Sequence, residues 1–459
     1  MTEQSNEAPL MLGISGMRGL VDRSLTPSIV ARYALAFGRW LQDRCPGQPA
    51  PQVLLGRDSR PSGQRFEAAA ITGLMAAGCF VRRLGVVSTP GVAAMIRQRG
   101  ADGGLVITAS HNPSSWNGVK LMLRDGVAPS PDLAAEVIDC FGAGSEIDFN
   151  EAAPVSVDSD NETVAVHCDV VRTCVDVESI RRARLTVVVD SVHGAGGPET
   201  QTLLKDLGVF AVHLYPEPSG QFPHTPEPTK ENLTGLCDAV RQHKADLGFA
   251  QDPDADRLAI VDGQGRYIGE EYTLALCALH RLQRGEVTVA NLSTSRMIDD
   301  IAAMVGATVH RTPVGEAHVA AEMARCGATI GGEGNGGVIL SSISYVRDSL
   351  VGISLMLEML AQRQVCLDQI VGTLPCYAMV KDKMPFKSHM VDGMAQSMHR
   401  QFPGEPFDEQ DGVRVDLADR WVHVRASNTE PIVRLIGEAP DLAQAAALIE
   451  QTKLALLSD

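Results

Sequence analysis

Gly104-Leu105-Val106-Ile107-Thr108-Ala109-Ser110-His111-Asn112-Pro113 is an apolar run that breaks into a polar, proline-terminated loop. A short apolar run of this kind reads as a buried strand. The side chains just past its carboxyl end stand where open α/β sheets hold their ligands. Two later stretches repeat the arrangement with different chemistry. Leu247-Gly248-Phe249-Ala250 runs into Asp252-Pro253-Asp254-Ala255-Asp256-Arg257, and Ala328-Thr329-Ile330 runs into Gly331-Gly332-Glu333-Gly334-Asn335-Gly336-Gly337. They read as a hydroxyl nucleophile, a cation site and a polar-ligand loop, expected to face one cleft.

Outward from each loop, the same order of elements recurs. In the first copy a strand at Val53–Leu55 ends in a polar loop, Gly56-Arg57-Asp58-Ser59-Arg60. A helix then closes at Gly78, a strand follows from Cys79 to Leu84, and the serine loop is followed by a returning strand, Val119–Leu123. The second copy runs from Thr186–Val189 through a helix ending before Gly208 to Val209–Leu214, with Leu258–Val261 after the aspartate loop. The third runs from Val287–Ala290 through a helix stopping at Gly306 to Ala307–His310, with Val338–Leu340 after the glycine loop. Such a repeat predicts three similar α/β domains with mixed sheets. Past Gly372 the repeat stops, and alternation in Val413–Leu417 and Trp421–Val424, with a helix over Leu442–Leu457, predicts a smaller α+β domain. The expected division is 1–153, 154–263, 264–371 and 372–459, arranged around a central cleft.

A chain of 459 residues is too long for one core, since a domain takes roughly 100–200. The net charge of −16 excludes a basic nucleic-acid footprint and disfavours an acidic membrane surface. The ten cysteines show no C-x-x-C pair and no Cys/His ligand spacing, which reads as reduced thiols in a cytoplasmic protein. The first nine residues are polar and lack the apolar core of a signal peptide. No apolar run approaches the roughly 18 residues of a spanning helix.

Asp252, Asp254 and Asp256 alternate, so an extended chain would project their carboxylates to one side. Three such charges repel unless a cation sits among them, and hard oxygen ligands suit Mg²⁺. A calcium-binding EF-hand fails, with Arg257 where glycine is needed and Gly263 where glutamate is needed. The aspartyl-phosphate signature D-x-D-x-[TV] fails as well, and a solvated acidic turn is the remaining alternative. Ser110 becomes a useful phosphoryl acceptor only with its charge balanced, because phosphoserine carries close to two negative charges. Phosphoryl transfer asks mainly for alignment and neutralisation. Lys120, on the returning strand, can move a proton, and His111 has the bland alternative of a supporting donor. Arg425, Ser427, Asn428, Thr429 and Arg434 gather donors for a phosphate. Glu333 and Asn335 offer an acceptor and an amide to paired sugar hydroxyls.

Together, the T-A-S-H-N-P, D-P-D-A-D-R, G-E-G-N-G-G and R-A-S-N-T-E-P loops, in this order, resemble those of the α-D-phosphohexomutases, over essentially the whole chain. The resemblance implies interconversion of hexose 1-phosphates and 6-phosphates through a phosphoserine at Ser110 and a hexose 1,6-bisphosphate. It implies one Mg²⁺ held by Asp252, Asp254, Asp256 and the seryl phosphate, with Arg18, Lys120 and Arg257 facing the reacting groups and Lys120 first choice as general acid/base. Glu333 and Asn335 would hold sugar hydroxyls, and the Arg425–Thr429 loop would grip the non-reacting phosphate. Two departures stand out. Ile14 replaces a common threonine, and the sugar loop has Asn335 and Gly337 where many bacterial members have serine and histidine. That loop form resembles a branch usually assigned to phosphoglucosamine mutase, with mannose and glucose phosphates as the sugar alternatives. A Mg²⁺ phosphohydrolase and a non-catalytic sugar-phosphate binder are the competing classes. A monomer or homodimer is expected.

Overall fold

The strand Gly103–Ile107 is buried at every position, as a parallel strand covered on both faces must be. It pairs parallel with Gln52–Arg57 and antiparallel with Trp116–Leu123. The computed structural model describes residues 9–44, 49–144, 147, 156–385, 388–426 and 432–457.

The same four-strand kernel occurs three times. Across the first sheet the order is Trp116–Leu123, Gly103–Ile107, Gln52–Arg57, Phe80–Val86; across the second, Leu258–Asp262, Leu247–Gln251, Thr186–Asp190, Phe210–Leu214. The third repeats it as Gly337–Leu340, Ile330–Glu333, Val287–Asn291, Thr308–Thr312. In each, an antiparallel returning strand lies beside the strand that carries the functional loop, and the other pairings are parallel. The first sheet extends to seven strands by adding Met11–Gly13 and Gly16–Leu20 at one edge and Asp158–Ser159 at the other. The last unit is a five-stranded antiparallel sheet, with helices Ser388–Gln401 and Leu442–Leu457. The fold is therefore the expected one of three mixed α/β units and a smaller α+β unit.

Each kernel also contains a helix that the sequence reading omitted: Thr89–Arg99, Thr234–His243 and Glu316–Cys326. Two parallel strands need a crossover between them, and a helix is the usual one. The first was legible from its caps, since Ser88 accepts from Gly91 N, Pro90 sits in the first turn and Gly100 closes it at φ 64°. Its small residues, Gly91, Ala93 and Ala94, hide the apolar period.

Packing joins the units as well as filling them. The helix Ser349–Arg363 is buried without a break from Ser349 to Ala361, and its core cluster includes residues of both the second and third units. A helix apolar on every side belongs in an interior. Helices Pro27–Arg44 and Gly63–Ala76 meet at Gly73, where an added Cβ would lie 2.0 Å from the Ala31 carbonyl oxygen. Among the described residues, every cysteine is free, and no helix is long and apolar enough to cross a membrane.

Candidate active site

Ser110 follows the buried strand Gly103–Ile107 and adopts φ 49°, a left-handed conformation that costs a side-chain-bearing residue roughly 1–2 kcal/mol. The surroundings hold it there. Ser110 N donates to Thr108 Oγ1 at 2.8 Å, and its carbonyl accepts from Arg60 Nη2 at 2.7 Å. Arg60 is fully buried, pairs with Asp58 at 2.7 Å and also donates to the carbonyls of Pro113 and Trp116. Asp58 in turn accepts from Thr108 Oγ1 at 2.7 Å. The Gly56–Arg60 loop, to which the sequence reading gave no task, is the brace behind the serine. A charged pair inside a predicted strand-end loop was the signal.

The aspartates converge by a different route from the one expected. The strand Leu247–Gln251 ends before them, Ala255 N donates to Asp252 O at 2.9 Å, and Ala255 takes φ 56°. A tight turn, not an extended chain, gathers the three carboxylates, because a turn closes on itself where a strand would carry Asp256 away. One oxygen from each lies within 4.8 Å of the others, and all three residues are fully buried.

Every element around the turn contributes to it. Asp252 Oδ2 accepts from Ser110 Oγ at 2.7 Å and Oδ1 from Arg257 N at 3.1 Å. Asp254 Oδ2 accepts from Thr89 Oγ1 at 2.6 Å and from Lys120 Nζ at 2.7 Å. Asp256 Oδ2 accepts from Lys120 Nζ at 2.8 Å and from Arg347 Nη2 at 2.7 Å. The other oxygens of Asp254 and Asp256 are buried without any hydrogen-bond partner, a costly state for a carboxylate. Three hard carboxylates, two with an orphaned and buried oxygen, fit a small divalent cation.

The protonation of the group follows from this packing. Burial, together with Asp254 and Asp256, pushes the Asp252 carboxyl well above its usual range. For Asp254, burial and Asp256 push upward, but Lys120 and Thr89 outweigh them and its affinity for a proton falls below the ordinary value. Burial alone would discharge Lys120; Asp254 and Asp256 reverse this and hold it charged. His111 is driven well down by burial and then by Arg257 and Arg18, so its imidazole is neutral. It lies 3.4 Å from Ser110 Oγ.

The sugar-loop candidates sit on the adjoining wall. Glu333 Oε1 accepts from Asn291 Nδ2 at 2.7 Å and Gly315 N at 3.1 Å, while Oε2 meets Arg347 Nη1 at 2.5 Å. Asn335 Nδ2 reaches Glu333 Oε2 at 3.4 Å. Gly336 is needed here: its φ is 86°, and a Cβ would lie 2.3 Å from Leu258 O. That close approach lets Leu258 N bond to Gly336 O at 3.0 Å, seating the third unit's loop on the second unit's strand. Arg347 and Thr89 are functional residues that the sequence reading missed. Arg347 lies beyond the returning strand, outside every motif, and only the fold brings it back.

A cavity of about 550 Å³ opens beside these groups, lined by Arg18, His111, Lys120, His318, Arg425 and Arg434 among others. Arg18 Nη1 donates to Asn112 Oδ1 at 2.8 Å. A second hollow of about 210 Å³ is lined by Ser110, Lys120, Arg257, Glu333 and Asn335. Arg425 is oriented by Asp411 Oδ2 at 2.9 Å, an oxygen that also accepts from Val314 N of the third unit at 3.0 Å. Ser427, Asn428 and Thr429 lie outside the described residues. Ser110, Lys120, Arg18, Arg257, Glu333, Asn335, Arg425 and Arg434 thus line two adjoining hollows, and the three aspartates are buried behind Ser110 and Lys120.

Four family models, described as phosphoglucomutase/phosphomannomutase alpha/beta/alpha domains I, II and III and the C-terminal domain, match residues 10–148, 165–265, 270–377 and 379–455. The chain belongs to this family. A phosphoglucomutase/phosphomannomutase of Thermococcus kodakarensis is 36% identical over 448 residues, covering 96% of this chain and 97% of that protein. A Methanococcoides burtonii protein named "Probable phosphoglucosamine mutase" is 34% identical over 434 residues, covering 94% and 95%. Among solved structures, a phosphoglucomutase/phosphomannomutase family protein from Burkholderia thailandensis superposes with a TM-score of 0.79 at 26% identity, covering 98% of each chain.

Proposed function

We propose that this chain interconverts hexose 6-phosphate and hexose 1-phosphate, with Ser110 as the phosphoryl carrier and glucosamine phosphate as the favoured sugar. The observation that carries the reading is the 2.7 Å bond from Ser110 Oγ to Asp252, inside a buried aspartate cluster at the wall of an arginine- and lysine-lined cavity. In the forward half-reaction the bond from phosphorus to Ser110 Oγ breaks as one forms to a sugar hydroxyl. Lys120 gives a proton to the departing Ser110 Oγ and takes the one released by the sugar hydroxyl, so the serine regains its hydroxyl and the lysine its charge. In the second half the 1,6-bisphosphate returns its other phosphoryl group to Ser110. Lys120, starting charged between Asp254 and Asp256, is the proposed general acid/base, acting first as the acid.

Asp252, Asp254, Asp256 and the Ser110 phosphate would hold Mg²⁺, which supplies charge neutralisation to the transferring group. Arg18 and Arg257 face that group. Glu333 and Asn335 orient sugar hydroxyls, and Arg425 and Arg434, with Ser427, Asn428 and Thr429, grip the phosphate that is not reacting. A grip on a separate unit suits a cycle whose intermediate must turn over before the second transfer. The amino-sugar preference is supported by the sugar-loop form and by relatives named phosphoglucosamine mutase.

The test is a panel of glucosamine, mannose and glucose 1-phosphates, each primed with its 1,6-bisphosphate, with intact mass measured alongside. The expected result is a phosphoryl adduct on the wild type, no adduct and no turnover in Ser110→Ala, and the highest kcat/KM with glucosamine 1-phosphate. Free phosphate released in proportion to turnover would replace the mutase with a hydrolase. A preference for glucose 1-phosphate would remove the amino-sugar choice while leaving the mutase standing.

A further inference from the structure

We propose that His310, Glu322 and Cys326 form a second metal site, on the third unit, that takes a borderline divalent ion of the Zn²⁺ type. His310 is the middle residue of the strand Thr308–Thr312, and Glu322 and Cys326 stand one turn apart on the helix Glu316–Cys326. One ligand atom from each lies within 4.8 Å of the other two. Among the described residues, only the aspartate turn gathers ligands as closely. The two clusters differ in kind: three carboxylates suit a hard ion, whereas a nitrogen, an oxygen and a sulfur select Zn²⁺ and its neighbours.

The site is arranged and accessible. His310 Nδ1 and Glu322 Oε1 are already 2.7 Å apart. A tetrahedron built on Zn²⁺ bonds has edges of about 3.3–3.8 Å, so the His310–Glu322 pair opens and Cys326 Sγ, within 4.8 Å of both, draws in to reach that size. Cys326 Sγ has only a weak 3.9 Å contact to Met323 O to give up. Arg325 donates to both oxygens of Glu322 at 2.6 Å, and with its side chain 69% exposed this is a solvent-screened pair for an ion to displace. The cluster borders an open cavity that His318, one turn before Glu322, also lines, leaving the fourth position to water or to that imidazole. No sequence motif announces the set, because His310 lies twelve residues before Glu322 on a different element.

An ion here would tie the strand to the helix on either side of Pro313, Val314 and Gly315. Gly315 N donates to Glu333 and Val314 N to Asp411, so the tied segment touches both the sugar loop and the fourth unit. The site is independent of the reaction proposed above, and its test needs no turnover.

Purified full-length protein saturated with Mg²⁺ is titrated with Co²⁺ and followed by absorbance and equilibrium dialysis. A thiolate-to-metal charge-transfer band reports Cys326, since the aspartate turn contains no sulfur. The wild type is expected to develop the band, saturating at one equivalent, and to lose it on adding Zn²⁺. Cys326→Ser should lose both the band and that equivalent. His310→Gln, which keeps the thiol, should bind at least tenfold more weakly. Both substitutions are at part-exposed positions, and unfolding midpoints without Co²⁺ equal to the wild type show that a ligand, not the fold, was lost. No band in the wild type, or a band that persists in Cys326→Ser, overturns the proposal.

Discussion

Arg347 is the residue whose removal tests the architecture of the cleft most directly. Its guanidinium meets Asp256 at 2.7 Å, Glu333 at 2.5 Å and Glu316 at 3.3 Å, with only 8% of the side chain exposed. Burial disfavours its charge, but Asp256, Glu316 and Glu333 outweigh that and raise its proton affinity well above the ordinary value. One planar fork therefore joins the aspartate turn of the second unit to the sugar loop of the third. Arg347→Met keeps the length and apolar stem and removes the charge. Breaking a buried ion pair typically costs about 3–5 kcal/mol, because the abandoned charge stays buried. Asp256 would retain Lys120, and Glu333 would retain Asn291 and Gly315 N, so the lower figure, about 3 kcal/mol, is expected here. Arg347→Lys keeps the charge but cannot span three carboxylates from one plane, and should fall between. Both loops would lose their registration, and a displacement near 1 Å lowers catalysis by about a hundredfold. Urea unfolding and kcat/KM for the sugar phosphates are the two measurements. A methionine variant within about 0.5 kcal/mol of the wild type, with kcat/KM unchanged, would refute the coupling.

Three further outcomes follow from other parts of the structure. Gly73→Ala puts a methyl group 2.0 Å from the Ala31 carbonyl oxygen, so the helices must separate; urea unfolding should show a loss of about 1–3 kcal/mol. His167, buried between Glu199 at 2.9 Å and Asp348 at 2.8 Å, titrates near 10, its burial outweighed by Asp348 and Glu199. A raised value means that its stabilisation is complete below the unfolded value of about 6.5 and is lost as pH rises through about 10. Stability measured across that window should fall in the wild type and stay flatter in His167→Gln. Mg²⁺ at a hundredfold over its Kd should stabilise the protein by about 2.7 kcal/mol, and replacing Asp252, Asp254 and Asp256 by asparagine should abolish that increment in thermal melts.

What the sequence disclosed and what it concealed divide along a physical line. A strand that is apolar throughout and stops at a polar loop is a local pattern, so Gly103–Ile107 and Leu247–Gln251 were visible, as was the helix Leu442–Leu457, whereas the third strand runs through the glycines as Ile330–Glu333 and not over Ala328–Ile330. The crossover helix Thr89–Arg99 was legible only from its caps, because small residues blur its apolar face. The geometry of the aspartates was legible in result but not in cause, since nothing local announces that Ala255 takes φ 56°. Contacts made at long range were the least visible. Arg60 reaches Ser110 across 50 residues, Thr89 reaches Asp254 across 165, and Arg347 reaches Asp256 across 91. Each is an ordinary residue in its own segment and acquires a task only from the fold.

The balance of charge explains why so acidic a chain can handle phosphates. Its net charge of −16 repels an anion at long range, so attraction must be local. Around Ser110 the cations Arg18, Lys120, Arg257 and Arg347 face the carboxylates of Asp252, Asp254, Asp256, Glu316 and Glu333. Four positive groups against five negative ones leave the inner set slightly acidic, and the neighbouring carboxylates add to burial in pushing Asp252 upward. A phosphoryl group on Ser110 would add close to two more negative charges. A divalent ion at the aspartates offsets that addition almost fully, and returns the inner set to the balance it has without either. In the second cluster of cations, Arg425 and Arg434 across the cavity, Arg425 pairs with Asp411. A phosphate at that end would meet two guanidinium groups without a metal. In the proposed cycle the two ends of a bisphosphate would therefore be treated differently, one where the aspartates would hold a metal and one where arginines would carry the charge alone.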